Sequence, residues 1–141
     1  MLRGAAWAVV LVDTTVWIDW LRGVDSAAVA RLRVLLEDGR AALAPVVLQE
    51  LLQGAANPAA LRTLQRRFSA LPMLMPADTL ALHADAGALY ARCRWAGVTP
   101  LSGHDCLIAA LAIERRAPLL HDDRDFAAIA GVDGRLRLSA T

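Results

Sequence analysis

The sequence predicts an α/β fold, a parallel central sheet with helices on both faces, and three observations carry that expectation. The segment Trp7 to Val12 is an unbroken apolar run, as a strand covered on both faces is. Short apolar runs then alternate with stretches of three- and four-residue apolar spacing, the pattern of strands joined by helical crossovers. Finally, 141 residues at 57% hydrophobic composition supply enough material to cover both faces of one sheet.

The elements follow in order. After the first strand, Asp13-Thr14-Thr15 offers caps for a helix. Ala41 to Ala44 is the second strand, and Pro45 takes the first position of a helix whose apolar segment Val46 to Leu52 ends at Gly54. Asn57-Pro58 opens the next helix, where Leu61, Leu64, Phe68 and Leu71 make one apolar face. Arg62, Arg66 and Arg67 lie off that stripe, as a solvated face or as a surface turned to phosphate.

Beyond Pro72 and Pro76 a long helix is expected from Ala77 to Trp95, closed by Gly97. Ser102 caps another, Gly103 to Arg116, which is apolar nearly all round and therefore buried. Pro118-Leu119-Leu120 reads as a strand, Asp125 to Ala130 as a short helix and Leu136 to Leu138 as an edge strand. There is no repeat, linker or low-complexity stretch, so residues 1–141 are expected to form one domain.

Composition excludes several functions. No stretch of about 18 uncharged apolar residues exists, so no membrane span is expected. The apolar opening from Met1 ends at Asp13 without a small-x-small cleavage site, so it is read as a strand rather than a signal peptide, and a cytoplasmic protein is expected. Cys93 and Cys106 make no zinc pattern with His83, His104 or His121 and are read as buried free thiols. A net charge of +1 gives no overall basic character. All 15 basic residues are arginine, which excludes a Schiff-base lysine and a P-loop lysine. No linear basic and aromatic run marks an RNA-reading surface; Trp7, Trp17, Trp20 and Trp95 are read as core or dimer-interface residues.

Ligands of open parallel sheets bind beyond the carboxyl ends of the strands, which directs attention to the acids placed there. Asp13 follows the first strand, and Asp122, Asp123 and Asp125 follow Leu120. Glu50 interrupts an otherwise apolar helix, and Asp105 lies in the first turn of a buried one. Each has a structural reading: a cap for Asp13, a complement to a helix N-terminus for Asp105, a turn for Asp123. Glu50 resists one, because an unpaired carboxylate among Val46, Val47, Leu48, Leu51 and Leu52 is costly. If the four segments converge, two carboxylates about 4 Å apart repel by roughly 4 kcal/mol at an effective dielectric of about 20. An all-oxygen cluster of that kind suits Mg2+ or Mn2+ and the chemistry of phosphodiesters.

Four segments, in order and spacing, carry a resemblance: Leu11-Val-Asp-Thr-Thr-Val-Trp-Ile-Asp19, Glu50-Leu-Leu-Gln-Gly54, Asp105-Cys-Leu-Ile-Ala-Ala110 and Leu119-Leu-His-Asp-Asp-Arg-Asp-Phe126. In these the chain resembles PIN-domain ribonucleases of the VapC toxin type over nearly its whole length. The resemblance implies a three-layer α/β/α sandwich, Mg2+- or Mn2+-dependent cleavage of RNA (transfer RNA among the candidate substrates), a homodimer, and a cognate VapB-type antitoxin that blocks the site. Position by position, Asp13, Glu50 and Asp105 match the family's metal-binding acids. The fourth position falls on Asp123, with His121 and Asp125 in register and Asp122 as variable neighbour. By this reading Asp13, Glu50 and Asp105 hold the metal directly or through water, and Asp123 completes the site or orients the attacking water. Thr14 or Thr15 either holds a metal-bound water or serves the helix start.

Two other classes compete. A phosphatase of the kind that places an aspartate after its first strand needs a second aspartate where Thr15 stands, and a phosphorelay receiver needs a lysine. A non-catalytic dimeric module that binds RNA or a partner through its arginines is the alternative that metal-dependent cleavage would exclude.

Overall fold

The computed structural model describes residues 8–99 and 102–141. Three short parallel strands, β1 (Val10–Val12), β2 (Ala41–Ala42) and β3 (Leu119–Leu120), form a sheet in the order β2-β1-β3. In register, Val10 and Leu11 face Ala41 and Ala42, while Leu11 and Val12 face Leu119 and Leu120. Every strand residue is buried, which is why the strands read as apolar runs and not as alternation. The strand expected from Trp7 begins at Val10, and Trp7 itself lies outside the described residues.

Seven helices connect and cover this sheet among the described residues: α1 (Thr14–Leu21), α2 (Ala27–Glu37), α3 (Pro45–Gln53), α4 (Pro58–Ser69), α5 (Thr79–Trp95), α6 (Gly103–Glu114) and α7 (Arg124–Val132). Chain order steps from β1 to one neighbour and from there across to the other. With right-handed crossovers, those two steps place their connecting helices on opposite faces of the sheet. The architecture is the α/β arrangement expected.

Two helices, not one, fill the stretch between β1 and β2. α1 stops at Leu21, Gly23 takes a left-handed φ of 71°, and the side chain of Ser26 accepts the amide of Val29 to start α2. Asn57 and Asp78 cap α4 and α5 in the same way, accepting from Ala60 and Ala81. Ser102 and Asp13 stand at the N-cap positions of α6 and α1 but make no side-chain cap bond, so their expected capping roles are not realised. The expected edge strand Leu136 to Leu138 reduces to one bridge, Leu138 to Leu119. The opposite edge carries an unanticipated bridge between Leu43 and Met73.

Trp17, Phe68 and Phe126 are the largest fully buried side chains, each worth on the order of 2–3 kcal/mol of burial. Trp17 meets Phe68 edge-on at 5.4 Å and donates its indole N–H to the Val12 carbonyl, tying α1 and α4 to the end of β1. Trp20 is half-buried under the guanidinium of Arg67, 4.7 Å from the ring centroid. Trp95, by contrast, is 75% exposed and takes no part in the core. Cys93 and Cys106 are buried free thiols between α5 and α6, and burial is the main cause pushing the Cys106 thiol up to about 11. No helix among the described residues is long and apolar enough to cross a membrane.

Candidate active site

The carboxyl ends of β1 and β3 are locked together by the Asp13 amide, which donates to the Leu120 carbonyl at 2.9 Å. Asp13 therefore stands where the central strand ends, 5% exposed, with its carboxylate unused as a cap. Next in the chain, Thr14 is also buried, and its Oγ1 donates to Oε1 of Glu50 on α3 at 2.8 Å. This corrects the expectation that Glu50 lies unpaired among apolar neighbours: its side chain is 32% exposed and meets both Thr14 and His104, whose Nδ1 stands 3.6 Å from Oε2.

Asp105, one residue after His104 in the first turn of α6, joins the remaining acids. Burial first, then the charges of Asp123, Asp125 and Glu50, push its carboxyl up to about 6. For Asp13 burial again leads, opposed by the amides of Thr14 and Thr15 and assisted by the charges of Asp105 and Glu50, and its carboxyl is likewise pushed up to about 6. Asp105 is thus the hub through which acids from four segments act on one another. Asp122 is exposed and not among the charges acting on either.

The loop after β3 is internally braced. The Asp123 amide donates to His121 Nδ1 at 3.1 Å, and Oδ1 of Asp123 accepts the Asp125 amide at 2.9 Å as the cap of α7. One carboxylate oxygen of Asp123 is thereby given to structure. Asp125, half-buried, has a buried Oδ2 without a hydrogen-bond partner among the described residues.

None of Asp13, Glu50, Asp105, Asp123 or Asp125 forms an ion pair with an arginine among the described residues. Nor do three His, Cys, Asp or Glu side chains, as placed, form one ligating group. The oxygen-only donors, the raised proton affinities and the orphaned oxygen of Asp125 fit a hard divalent cation.

His104 is the residue that sequence reading missed, having weighed it only as a zinc ligand. The available signal was its position, beside Asp105 at the start of a helix that runs apolar from Cys106 to Ile113. A cavity of about 740 Å³ lies elsewhere, lined by Arg92, Arg116, Arg135 and Arg137 together with Asp133. Its buried acid is already neutralised by two arginines, so it lacks the uncompensated charge of the strand ends.

Comparison with known proteins turns this geometry into a class. Residues 10–132 match the model of the PIN domain family. A VapC ribonuclease of Mycobacterium bovis and ribonuclease VapC11 of Mycobacterium tuberculosis are each 39% identical to the chain over 125 residues, 87% of this chain and 92% of theirs. The chain belongs to the VapC ribonuclease family of PIN-domain proteins. Solved structures share the fold: VapBC2 from Rickettsia felis, bound to a DNA fragment from its promoter, gives a TM-score of 0.70 at 18% identity over 93% of this chain and 97% of that one. FitAcB from Neisseria gonorrhoeae gives 0.65 at 21% identity over 94% and 97%.

Proposed function

We propose that this protein is a divalent-metal-dependent endoribonuclease, the toxin of a VapBC-type pair, which hydrolyses RNA phosphodiester bonds at the carboxylate edge of its sheet. The observation that carries the reading is the coupling of Asp13 and Asp105, each pushed up to about 6 and neither paired with an arginine among the described residues, in a chain of the VapC ribonuclease family.

Asp13, Glu50 and Asp105 hold the cation, directly or through water, and Asp123 completes the set with the oxygen that its cap bond leaves free. Asp125 supports it. When bound, Mg2+ or Mn2+ supplies a more acidic water and neutralises charge on the leaving oxygen. Thr14 orients Glu50 by its hydroxyl hydrogen bond. Asp13 gives the site its fixed point, because its backbone amide is tied to the Leu120 carbonyl at the β1–β3 junction. Residues 1–141 act as one nuclease domain in the cytoplasm, as a homodimer, with a VapB-type antitoxin as partner and RNA as substrate class, transfer RNA being one candidate.

The test is incubation of purified, antitoxin-free protein with total RNA, with Mg2+, with Mn2+ and with chelator, beside Asp13→Asn prepared identically. Discrete metal-dependent fragments that the variant does not produce are expected. Identical behaviour of wild type and variant in every condition would return the carboxylates to structural roles and favour the non-catalytic binding module.

A further inference from the structure

Glu50 is the acid of the edge with one oxygen hydrogen-bonded by a neighbouring side chain and the other faced by a second one. Thr14 Oγ1 holds Oε1 at 2.8 Å, and His104 Nδ1 faces Oε2 at 3.6 Å. A carboxylate pinned at one oxygen can still swing about that pin, whereas a carboxylate faced at both is oriented. We infer that His104 is a positioning residue, which fixes the second oxygen of Glu50 and thereby couples the acid on α3 to Asp105 on α6. This rests on the proposed metal-dependent site.

The local chemistry supports that role. A contact of 3.6 Å lies outside hydrogen-bond range but within reach of a charge-assisted pair that shortens with a small side-chain rotation. A carboxylate facing Nδ1 favours the N–H on that nitrogen, leaving Nε2 on the far side of the ring. The His104 side chain is 51% exposed against 32% for Glu50, so the ring is the more solvent-facing partner of the two. His104 and Asp105 share the first turn of α6, so any shift of that turn moves both together. Partners of metal-ligating side chains of this kind typically change metal affinity by about 10–100-fold when removed.

The alternative is that the ring serves RNA directly through Nε2. Side-chain geometry separates the two roles, because an Asn amide places a donor near the position of Nδ1 and a Gln amide near that of Nε2. The experiment measures Mn2+ affinity by calorimetry, and RNA cleavage as kcat and KM, for wild type, His104→Ala, His104→Asn, His104→Gln, Glu50→Gln and the Glu50→Gln/His104→Ala pair. A positioning role predicts Mn2+ binding weakened about tenfold in His104→Ala and in His104→Gln, most of it restored in His104→Asn, with KM for RNA unchanged. In the Glu50→Gln background the His104→Ala change should cost nothing further.

Three outcomes would overturn the inference: unchanged Mn2+ affinity in His104→Ala, rescue by Gln instead of Asn with a raised KM, or full additivity with Glu50→Gln. The exposed ring makes loss of folding an improbable source of these effects, and unchanged melting in the absence of metal checks it. A wild type that binds Mn2+ but cleaves no RNA would overturn the ribonuclease reading while the Mn2+ series still decides the role of His104. A wild type that binds no Mn2+ would overturn both.

Discussion

Asp13 and Asp133 are equally buried, each 5% exposed, and their surroundings treat them in opposite ways. Around Asp133 the chain supplies counter-charge: Arg135 donates to Oδ1 from its amide and Nε at 3.0 Å and to Oδ2 from Nη2 at 2.7 Å, and Arg92 adds a bond at 3.2 Å. The hydrogen bonds of Arg135 are the first cause that holds the Asp133 carboxyl well below the usual carboxylate range. Asp13 has no arginine ion pair among the described residues, and burial together with neighbouring acids raises its carboxyl to about 6. Two arginines pair with one buried aspartate and, among the described residues, none with the other. The first arrangement stabilises the fold; the second leaves charge for something outside the chain to balance.

The largest effect should come from removing that uncompensated charge. A carboxyl raised from 3.8 to about 6 contributes stability that is fully present below pH 4 and lost as pH rises through 6. At about 1.4 kcal/mol per pH unit, metal-free Asp13→Asn should therefore be more stable than wild type at pH 7 by on the order of 3 kcal/mol, the gap closing toward pH 4. The same change should remove nearly all RNA cleavage, as should Asp105→Asn. Denaturant melts across pH 4–8 in chelator measure the first half, and a less stable variant at pH 7 would mean that Asp13 is compensated after all.

Metal addition should then reverse the wild-type profile. A cation bound only by the folded state adds about 2.7 kcal/mol at one hundred times its dissociation constant. At pH 7.5, Mn2+ should raise the melting temperature of wild type and leave Asp13→Asn and Asp105→Asn nearly unmoved. An equal rise in all three would place the ion somewhere other than the strand ends.

Asp133→Asn should show the contrary sign. Its depressed carboxyl contributes stability that is present above pH 4 and lost as pH falls through the folded-state value. Because Arg92 and Arg135 are 41% and 70% exposed and can rehydrate, the expected cost at pH 7 is about 2 kcal/mol, the scale of charge-assisted hydrogen bonds. Cleavage by the folded variant should match wild type, measured below its melting temperature. Loss of cleavage without loss of stability would join the two regions that the comparison separates.

How much of this was legible beforehand follows the range of the interactions. The α/β class and the strand ends were readable because apolar runs and acids directly after them are local signals, as at Val10 to Asp13 and Leu119 to Asp123. The break between α1 and α2 was missed because Gly23 and Ser26 end and restart a helix within an otherwise continuous helical composition. The bridge from Leu43 to Met73 joins residues with no shared pattern. Asp133 escaped notice altogether, since nothing near it in sequence except Arg135 reveals that Arg92, 41 positions earlier, returns to pair with it. The Thr14–Glu50 contact is likewise long-range, 36 positions apart, although each residue had been singled out separately.

That contact supplies the smallest and most discriminating change. Thr14→Val keeps the shape of a buried side chain and removes only the hydroxyl that holds Oε1 of Glu50. The start of α1 loses nothing by it, because no side-chain cap bond is made there. Glu50 is exposed enough for Oε1 to regain water, so stability should change by less than about 1 kcal/mol. Cleavage should nevertheless fall about tenfold, the lower end of what loss of an orienting partner costs a metal site, and Thr14→Ser should restore most of it. Since stability and activity would then move independently at Thr14, and in opposite directions at Asp13, the strand ends would be separated from the Asp133 cluster by energetics as well as by position. Full activity in Thr14→Val would instead assign the threonine to the packing of α1, and would leave Glu50 to be oriented from the α6 side alone.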